Sequence, residues 1–337
     1  MPKTIFLVDD SDISLSRGEE ALEPYFDVMT LPSATKMFAL LEKMLPDLIL
    51  LDIEMPGQSG FEAMRLLKAH DLYAHIPVIF VTGRNDEHTE ARGFQMGAID
   101  FIGKPFSPPI LVNRVKAHLS MDEKVRERTA QLWRLKNGII SVLADLVEDR
   151  DVTTGGHIER TASYIQILLD QMLANRVYDG EIRGWDLETV ISSSRLHDVG
   201  KIRISDIILN KPGKLTPEEF EIIKTHASEG EQIIDQIAVR TGDEVFLRHA
   251  KKFAGYHHEK WNGLGYPYGL SGEEIPLQGR VMAIADVYDA LVSERPYKKP
   301  FSHEQAVDII MKESGLHFDP KIAEVFYNER NQFKAVR

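Results

Sequence analysis

Residues 196–201 read Leu-His-Asp-Val-Gly-Lys, so that an imidazole and a carboxylate stand side by side at the end of an apolar segment. Imidazole nitrogen and carboxylate oxygen are ligands that suit iron, manganese or zinc at a hydrolytic site, and a carboxylate can also bridge two metals. One such pair is weak evidence, but the chain adds Tyr-His-His-Glu at 256–259 and Gly-Leu-Gly-Tyr-Pro at 263–267. Together the three stretches predict a metal site in the C-terminal half.

The composition is that of an ordinary globular protein with room for about two domains. Of the 337 residues, 43% are hydrophobic and 27% are charged, and the formal net charge of −12 argues against nonspecific duplex binding through a basic surface. Because cysteine is absent, disulfides and thiolate clusters are excluded, and any metal must be held by His, Asp or Glu. Neither a secretory segment nor an apolar run of about 18 residues occurs, which predicts a cytoplasmic protein without membrane insertion.

Short apolar runs that end in polar residues recur from Met1 to about Ser120. The runs and their polar ends are 4–8 with Asp9 and Asp10, 48–51 with Asp52, 78–81 with Thr82, and 99–102 with Lys104 just beyond. Continuous runs of this length indicate strands buried on both faces, and the amphipathic helical patterns between them predict a doubly wound parallel sheet. Ligands of such sheets bind beyond the carboxyl ends of the strands, where three carboxylates predict an Mg²⁺ site.

A long helical connector is predicted from Pro108 to Leu146. Apolar residues recur at seven-residue spacing, with Arg128 at one seam position: Val125, Leu132, Ile139 and Leu146, with Leu135 and Val142 between them. Heptad spacing predicts a helix that pairs with its copy in a homodimer. The alternative is a single helix packed on its own domain. A helix that joins two domains could transmit a rotation or a register shift.

The sequence after about Val147 consists mostly of helical patterns, which predicts an all-α domain. Thr216-Pro217-Glu218-Glu219 has the N-cap, the first-turn proline and the acidic third position of a helix start. Asp286 follows five apolar residues, and a carboxylate on an apolar helix face is costly unless it is paired or bound to a metal. Metal ligation is the simplest explanation. The candidate histidines are His157, His197, His226, His257 and His258.

The first 120 residues resemble the receiver domain of two-component response regulators over their whole length. The resemblance implies that Asp52 accepts a phosphoryl group, that Asp9 and Asp10 bind Mg²⁺, and that Phe101 takes the aromatic switch position. A sensor histidine kinase is the implied partner. The other implied positions of this site are Glu54, where the family places a backbone carbonyl on the metal, and Thr82 and Lys104, which contact the phosphoryl group.

Residues from about 147 to 325 resemble the HD-GYP subclass of the HD metal-dependent phosphohydrolases. The matching motifs are 196–201, 211–220, 224–226, 257–267, 275–277, 285–291 and 295–298. The resemblance implies hydrolysis of cyclic di-GMP and makes GGDEF-type diguanylate cyclases possible partners. The implied metal ligands are His157, His197, Asp198, His226, His257, His258 and Asp286. The implied substrate contacts are Lys201 to the scissile phosphate, Tyr266 on the lip of the pocket, and Arg295 with Lys298 to phosphate or guanine groups.

One position departs from part of that family. Some members have a glutamate four residues before the counterpart of His157, where it supports a third metal, and this chain has Thr153 there. Because threonine cannot replace a carboxylate ligand, we predict a site with two divalent transition metals, iron or manganese, bridged by Asp198. In the family, such sites are loosely associated with release of the linear dinucleotide pGpG. The common Ile-Pro is Ile204-Ser205 here, a change we expect to have no effect.

The expected fold is therefore a five-stranded doubly wound α/β receiver domain joined by a long helix to an all-α HD-type domain. The expected boundaries are 1–120 for the receiver, 121–146 for the helical linker and 147–337 for the phosphodiesterase domain.

Three functions stay open at this point. The first is a phosphorylation-controlled cyclic di-GMP phosphodiesterase. The second is the same enzyme class acting on cyclic GMP-AMP, because the motifs do not identify the base. The third is a non-catalytic nucleotide sensor or scaffold, which is disfavoured because His197, Asp198, Lys201 and Asp286 are all present. A DNA-binding output is not expected, since no helix-turn-helix pattern follows the receiver.

Overall fold

The computed structural model describes residues 2–83, 87–150, 156–242, 244–294 and 299–336. The chain forms two compact units, Met1–Leu132 and Trp133–Arg337. Three residues to which the sequence assigned roles, Thr153, Arg295 and Lys298, lie outside the described residues.

The first unit is built on a parallel sheet of five strands in the order β2-β1-β3-β4-β5. The strands are β1 (Thr4–Val8), β2 (Asp27–Leu31), β3 (Leu48–Asp52), β4 (Val78–Thr82) and β5 (Asp100–Gly103). The helices between them are α1 (Asp12–Leu22), α2 (Ala34–Leu41), α3 (Gly60–Ala69) and α4 (Glu87–Gln95). In the register, Val8 of β1 pairs with Leu31 on one side and with Leu51 on the other. The predicted doubly wound sheet is confirmed.

Apolar side chains cover both faces of this sheet. Every residue of β3 and β4 is buried, as their continuous apolar runs predict. The edge strand β2 was not located from the sequence. The strand was not located because most of it is incompletely buried: only Leu31 of this strand is buried, and Asp27 and Thr30 interrupt the apolar run.

The long connecting helix is also confirmed. It is a single helix of 41 residues, α5 (Pro108–Glu148). Leu111 and Val115 in its first turns pack on the sheet of the first unit, and Ile140 near its end belongs to a core cluster of the second unit. The heptad residues of α5 are more than half exposed in the single chain: Val125, Leu132, Leu135, Ile139, Val142 and Leu146.

The described part of the second unit is helical. Its α-helices are α6 (His157–Ala174), α7 (Asp179–Ile182), α8 (Leu187–Ser194), α9 (Asp206–Leu209), α10 (Pro217–Thr241), α11 (Glu244–Tyr256), α12 (Leu277–Val292), α13 (His303–Lys312) and α14 (Pro320–Ala335). Two 3₁₀ segments, Val199–Arg203 and Gly272–Glu274, interrupt them. None of the described helices combines the length and apolar character that crossing a membrane requires.

Two local features of this unit fix the elements that carry the candidate site. The predicted start of α10 is confirmed: the Thr216 hydroxyl accepts from the Glu219 N–H, and the Glu219 carboxylate accepts from the Thr216 N–H. α12 is buried along most of its length, because residues 281–285 face the core on all sides. Asp286 and Asp289 therefore lie where this apolar helix borders a cavity.

Candidate functional site

Five separate segments bring imidazoles and carboxylates to one place in the second unit. His157 begins α6, His197 and Asp198 lie between α8 and the first 3₁₀ segment, and His226 lies on α10. His257 and His258 follow the last turn of α11, and Asp286 lies on α12. Their ligand atoms form two groups, each within 4.8 Å: His226, His257 and His258 in one, and His157, His197 and Asp198 in the other. The structure thus assembles the predicted ligands.

Asp198 lies between the two groups. Its Oδ1 is 3.4 Å from Nε2 of His226 and 3.7 Å from Nε2 of His257. Its Oδ2 is 3.4 Å from Nε2 of His197 and 2.8 Å from Nζ of Lys201. One carboxylate oxygen therefore faces each histidine group, which is the arrangement that a bridging ligand needs.

Backbone carbonyls orient the buried imidazoles in the same sense. Nδ1 of His226 lies 2.7 Å from the Ile223 carbonyl, Nδ1 of His257 lies 2.9 Å from that of Phe253, and Nδ1 of His197 lies 3.1 Å from that of Ser194. An Nδ1–H that donates to a carbonyl leaves Nε2 as a lone pair directed into the site, as in metal-bound histidines.

These lone pairs fit divalent cations. Nε2 of His226 and Nε2 of His257 face each other at 3.3 Å, which is unfavourable without a proton or a cation between them. Nε2 of His197 is buried and has no hydrogen-bond partner among the described residues. A buried nitrogen acceptor without a donor is costly, and a metal removes the cost.

The electrostatics favour ligation in the same way. Burial lowers the pKa of His257 to about 3, and it also lowers the pKa values of His226 and His258. Burial alone raises a carboxyl pKa, but the charge of Lys201 and the nearby imidazoles hold the pKa of Asp198 well below its usual range. His226, His257 and His258 are therefore neutral and Asp198 is ionised at neutral pH, which are the protonation states that bind metal.

His157 is held by two residues that sequence reasoning did not assign. Its Nδ1 lies 2.8 Å from Oδ2 of Asp289, and the Arg160 guanidinium donates to the same carboxylate at 2.7 and 2.9 Å. Its Nε2 lies 3.5 Å from Oδ1 of Asp286. Asp289 is almost fully buried. The signal for both residues was spacing: Asp289 and Arg160 lie three residues after Asp286 and His157, one helical turn away.

The Asp289 contact predicts an unusual titration of His157. Burial lowers the pKa of His157, but the hydrogen bond to Asp289 and the charge of Asp286 outweigh it and raise that pKa above 6.5. In metal-free protein, we expect NMR of ¹⁵N-labelled imidazoles to show His157 titrating above 6.5 and His257 neutral down to about pH 4. Metal affinity should therefore fall as the pH drops through the pKa of His157. An Asp289→Asn control should lower that pKa, and a wild-type pKa already below 6.5 contradicts the assignment.

A cavity of about 340 Å³ opens on this cluster. Lys201, Asp286, His258 and Tyr266 line it. Tyr266 stacks on His258, with ring centroids 4.7 Å apart, and thus lies beside the cluster. Glu148 of α5 also lines the cavity and was missed by sequence reasoning, because its burial arises only when the end of α5 packs on the domain.

A buried carboxylate holds the loop that carries Tyr266. Glu259 accepts hydrogen bonds from the backbone N–H groups of Tyr268, Gly269 and Leu270 at 2.7 to 3.2 Å. A Cβ on Gly265 would lie 2.5 Å from the Glu259 Cα, so this glycine packs on the protein itself. The glycine is thus needed for the loop to fold.

The first unit brings its predicted residues to the carboxyl edge of the sheet. Ligand atoms of Asp9, Asp10 and Asp52 lie within 4.8 Å of one another. Nζ of Lys104 lies 2.5 Å from Oδ2 of Asp9 and 2.7 Å from Oδ2 of Asp52. Burial raises the pKa of Asp52, although the bond to Lys104 opposes the shift. Three carboxylates with one ammonium fit a hard cation such as Mg²⁺.

The other predicted residues of this unit are Thr82, Glu54 and Phe101. Thr82 ends β4 and is buried. The Glu54 N–H donates to Oδ1 of Asp52 at 3.3 Å, and the Glu54 side chain is exposed. The ring of Phe101 is buried between Phe80 and Phe94, with centroids 5.4 and 5.0 Å away.

Comparison with known families and proteins gives matches to both units. Residues 141–322 match the HD domain, and residues 5–116 match the response regulator receiver domain. A probable cyclic di-GMP phosphodiesterase of Vibrio cholerae is 38% identical, over 98% of this chain and 78% of its own length. A cyclic di-GMP phosphodiesterase response regulator of Xanthomonas campestris pv. campestris is 34% identical, over 86% and 77%. A 3'3'-cGAMP-specific phosphodiesterase of Vibrio cholerae is 40% identical, over 58% and 35%.

Proposed function

Because this chain belongs to the response regulators whose output is an HD-domain cyclic di-GMP phosphodiesterase, we propose that it hydrolyses cyclic di-GMP, mainly to pGpG, at a two-metal site controlled by phosphorylation of Asp52. The chain is a metal-dependent cyclic dinucleotide phosphodiesterase. The observation that carries the finer proposal is the position of the Asp198 carboxylate, with one oxygen toward each histidine group.

Each proposed role follows from position in the cluster. One cation would be held by His226, His257 and His258, a second by His157, His197 and Asp286, and Asp198 would bridge them. Bound divalent cations at such a site supply an activated water and neutralise charge on the phosphoryl oxygens. Iron or manganese suits the imidazole and carboxylate donors.

Among the described residues, Lys201 and Tyr266 are proposed to act on the substrate. The Lys201 ammonium lies 2.8 Å from Asp198, where it can stabilise the charge that develops on the phosphate during an in-line displacement. The ring of Tyr266 is positioned by His258 at the cavity edge and offers an apolar face on which a guanine can stack. Burial raises the pKa of Tyr266, so its phenol stays neutral and can donate a hydrogen bond. Arg295 and Lys298 stay proposed substrate contacts from the resemblance alone.

The product distinguishes the two-metal proposal from more extensive hydrolysis. Purified protein loaded with Mn²⁺ or Fe²⁺ and given cyclic di-GMP should accumulate pGpG, with GMP appearing much more slowly, as read by chromatography and mass spectrometry. The proposal rests on the absence of a carboxylate at Thr153. Equal rates of formation of pGpG and GMP would contradict it.

One observation supports an alternative substrate. The relative specific for 3'3'-cGAMP is 40% identical over 58% of this chain, so cyclic GMP-AMP is the alternative substrate. Parallel assays with both dinucleotides decide between them. We expect kcat/KM to be higher for cyclic di-GMP, and the opposite order favours the alternative.

Control by phosphorylation is proposed from the receiver site. Acetyl phosphate should change the turnover of the wild-type protein by about fivefold or more, a typical coupling between two sites. In Asp52→Ala that response should disappear while basal turnover persists, because Asp52 lies in the other unit from the metal cluster. Asp71→Ala, which removes an exposed carboxylate of the same unit, should keep the response. Loss of basal turnover in Asp52→Ala argues against a regulatory role.

A homodimer through α5 is proposed from its exposed heptad residues. Val125, Leu132, Ile139 and Leu146 are each more than half exposed in the single chain, and pairing with a second copy would bury them. A sensor histidine kinase is the proposed phosphoryl source, and GGDEF-type cyclases are proposed partners. A cytoplasmic location, expected from the sequence, stays a prediction.

A further inference from the structure

The Arg150 side chain makes several hydrogen bonds to one short segment of the second unit. Its guanidinium donates to the carbonyl of Ile202 at 2.9 Å and to the carbonyl of Ile204 at 3.0 Å. It also donates to Oδ1 of Asp206 at 2.7 and 3.1 Å and approaches the Lys201 carbonyl at 3.5 Å. The Asn210 side chain donates to the Arg150 carbonyl at 2.7 Å, which fixes the Arg150 backbone. One side chain thus spans residues 201–206.

These carbonyls need an outside donor. Ile202 and Ile204 lie at the C-terminal end of the 3₁₀ segment Val199–Arg203, where the last carbonyls of a helix have no partner within the helix. A guanidinium is a rigid planar fork that can donate to two such oxygens together, which a lysine ammonium cannot match. The ion pair with Asp206, whose side chain is 66% exposed, is the weaker part of the contact.

The segment that Arg150 holds carries Lys201. The segment also packs closely on α10, since a Cβ on Gly200 would lie 1.9 Å from the His226 carbonyl oxygen. Two contacts, one with α10 and one with Arg150, therefore hold the short turn that directs Lys201 toward Asp198. Arg150 also follows α5 by two residues, and Val147 and Glu148 of the last turn of α5 line the catalytic cavity.

We propose that Arg150 is a positioning residue of the phosphodiesterase: it holds the backbone of residues 201–206 so that the Lys201 ammonium meets the phosphate, and it attaches that backbone to the end of α5. The inference rests on the proposed function of the cluster. Arg150 touches neither substrate nor metal in this role and acts through Lys201. The end of α5 is thereby physically joined to the segment that carries a catalytic side chain.

A double-mutant cycle tests the proposal in the full chain with Mn²⁺ and bis(p-nitrophenyl) phosphate, a generic diester that needs no base recognition. Arg150→Gln should lower kcat about 10-fold with KM and metal content little changed, because the phosphate loses a correctly placed charge in the transition state. In a Lys201→Ala background the same change should cost less than about twofold, since the residue through which it acts is gone. Arg203→Gln removes an exposed arginine of the same segment and should match the wild type.

The outcomes separate positioning from general stability. An equal loss of kcat from Arg150→Gln in both backgrounds, or a loss of less than twofold in the wild-type background, overturns the proposal. Should Arg150→Gln fail to fold, Arg150→Lys decides: it keeps the charge but cannot hold both carbonyls, and we expect at least about a threefold loss of kcat. An unchanged kcat in Arg150→Lys overturns the proposal as well.

Hydrogen exchange distinguishes failure of this inference from failure of the proposed function. Amides of residues 199–206 should exchange about 10-fold faster in Arg150→Gln than in the wild type or in Arg203→Gln. If the wild type cleaves no diester, the proposed function fails, and the exchange result alone decides whether Arg150 holds this segment. Unchanged exchange in Arg150→Gln contradicts the inference whatever the activity.

Discussion

Replacing Asp198 with alanine should lower cyclic di-GMP turnover by about 1,000-fold or more, which corresponds to about 4 kcal/mol of transition-state stabilisation. The reason is that one carboxylate serves both histidine groups: Oδ1 faces His226 and His257, and Oδ2 faces His197. Removal of the bridge leaves two sets of buried imidazoles without the negative charge that makes two nearby cations tolerable. Turnover with Mn²⁺ and metal content by mass spectrometry should fall together.

The matched control is Asp170→Ala. Asp170 is an exposed carboxylate on α6, and its loss should leave turnover and metal content within about twofold of the wild type, as for most surface substitutions. Retention of more than a tenth of the activity and of both metals in Asp198→Ala would show that Asp198 is not the bridge.

Substitution of Gly200 by alanine should be the most damaging single-methyl change in the second unit. The added Cβ would lie 1.9 Å from the His226 carbonyl oxygen and 2.5 Å from the Gly230 nitrogen, both backbone atoms that cannot rotate away. We expect a loss of about 3 kcal/mol in the free energy of unfolding. We also expect about a 100-fold loss of turnover, because the shift displaces both Lys201 and His226.

Tryptophan fluorescence can follow this unfolding, since Trp133, Trp185 and Trp261, the only tryptophans, all belong to the second unit. Gly138→Ala is the control: Gly138 is exposed within α5 with open space around its Cα, and alanine there should stabilise the helix by about 0.5–1 kcal/mol. If Gly200→Ala and Gly138→Ala change the free energy of unfolding by similarly small amounts, the close packing of Gly200 on α10 is contradicted.

The candidate ligands could be predicted because their chemistry is visible in the side chain. Histidines, aspartates and a lysine at apolar boundaries have few other uses, and His157, His197, Asp198, His226 and Asp286 do converge. The sheet was predictable for a related reason, since β3 and β4 are buried on both faces and need continuous apolar runs.

The residues that support the ligands could not be predicted in the same way. Asp289 holds His157 although the two residues are 132 positions apart in the sequence. Arg150 holds backbone carbonyls, and every residue has a backbone carbonyl, so the identities of residues 201–206 do not indicate this contact. Gly265 has no Cβ because the Glu259 backbone occupies that space. Such contacts depend on tertiary packing, and a single sequence does not record which segments pack together.

The number and position of the cations test the central claim most directly. Anomalous scattering from crystals of the full chain loaded with Mn²⁺ should show two peaks in the second unit. One should lie among His226, His257 and His258, the other among His157, His197 and Asp286, with Asp198 between them. A single peak, no peak, or a third peak near Thr153 contradicts the two-metal account.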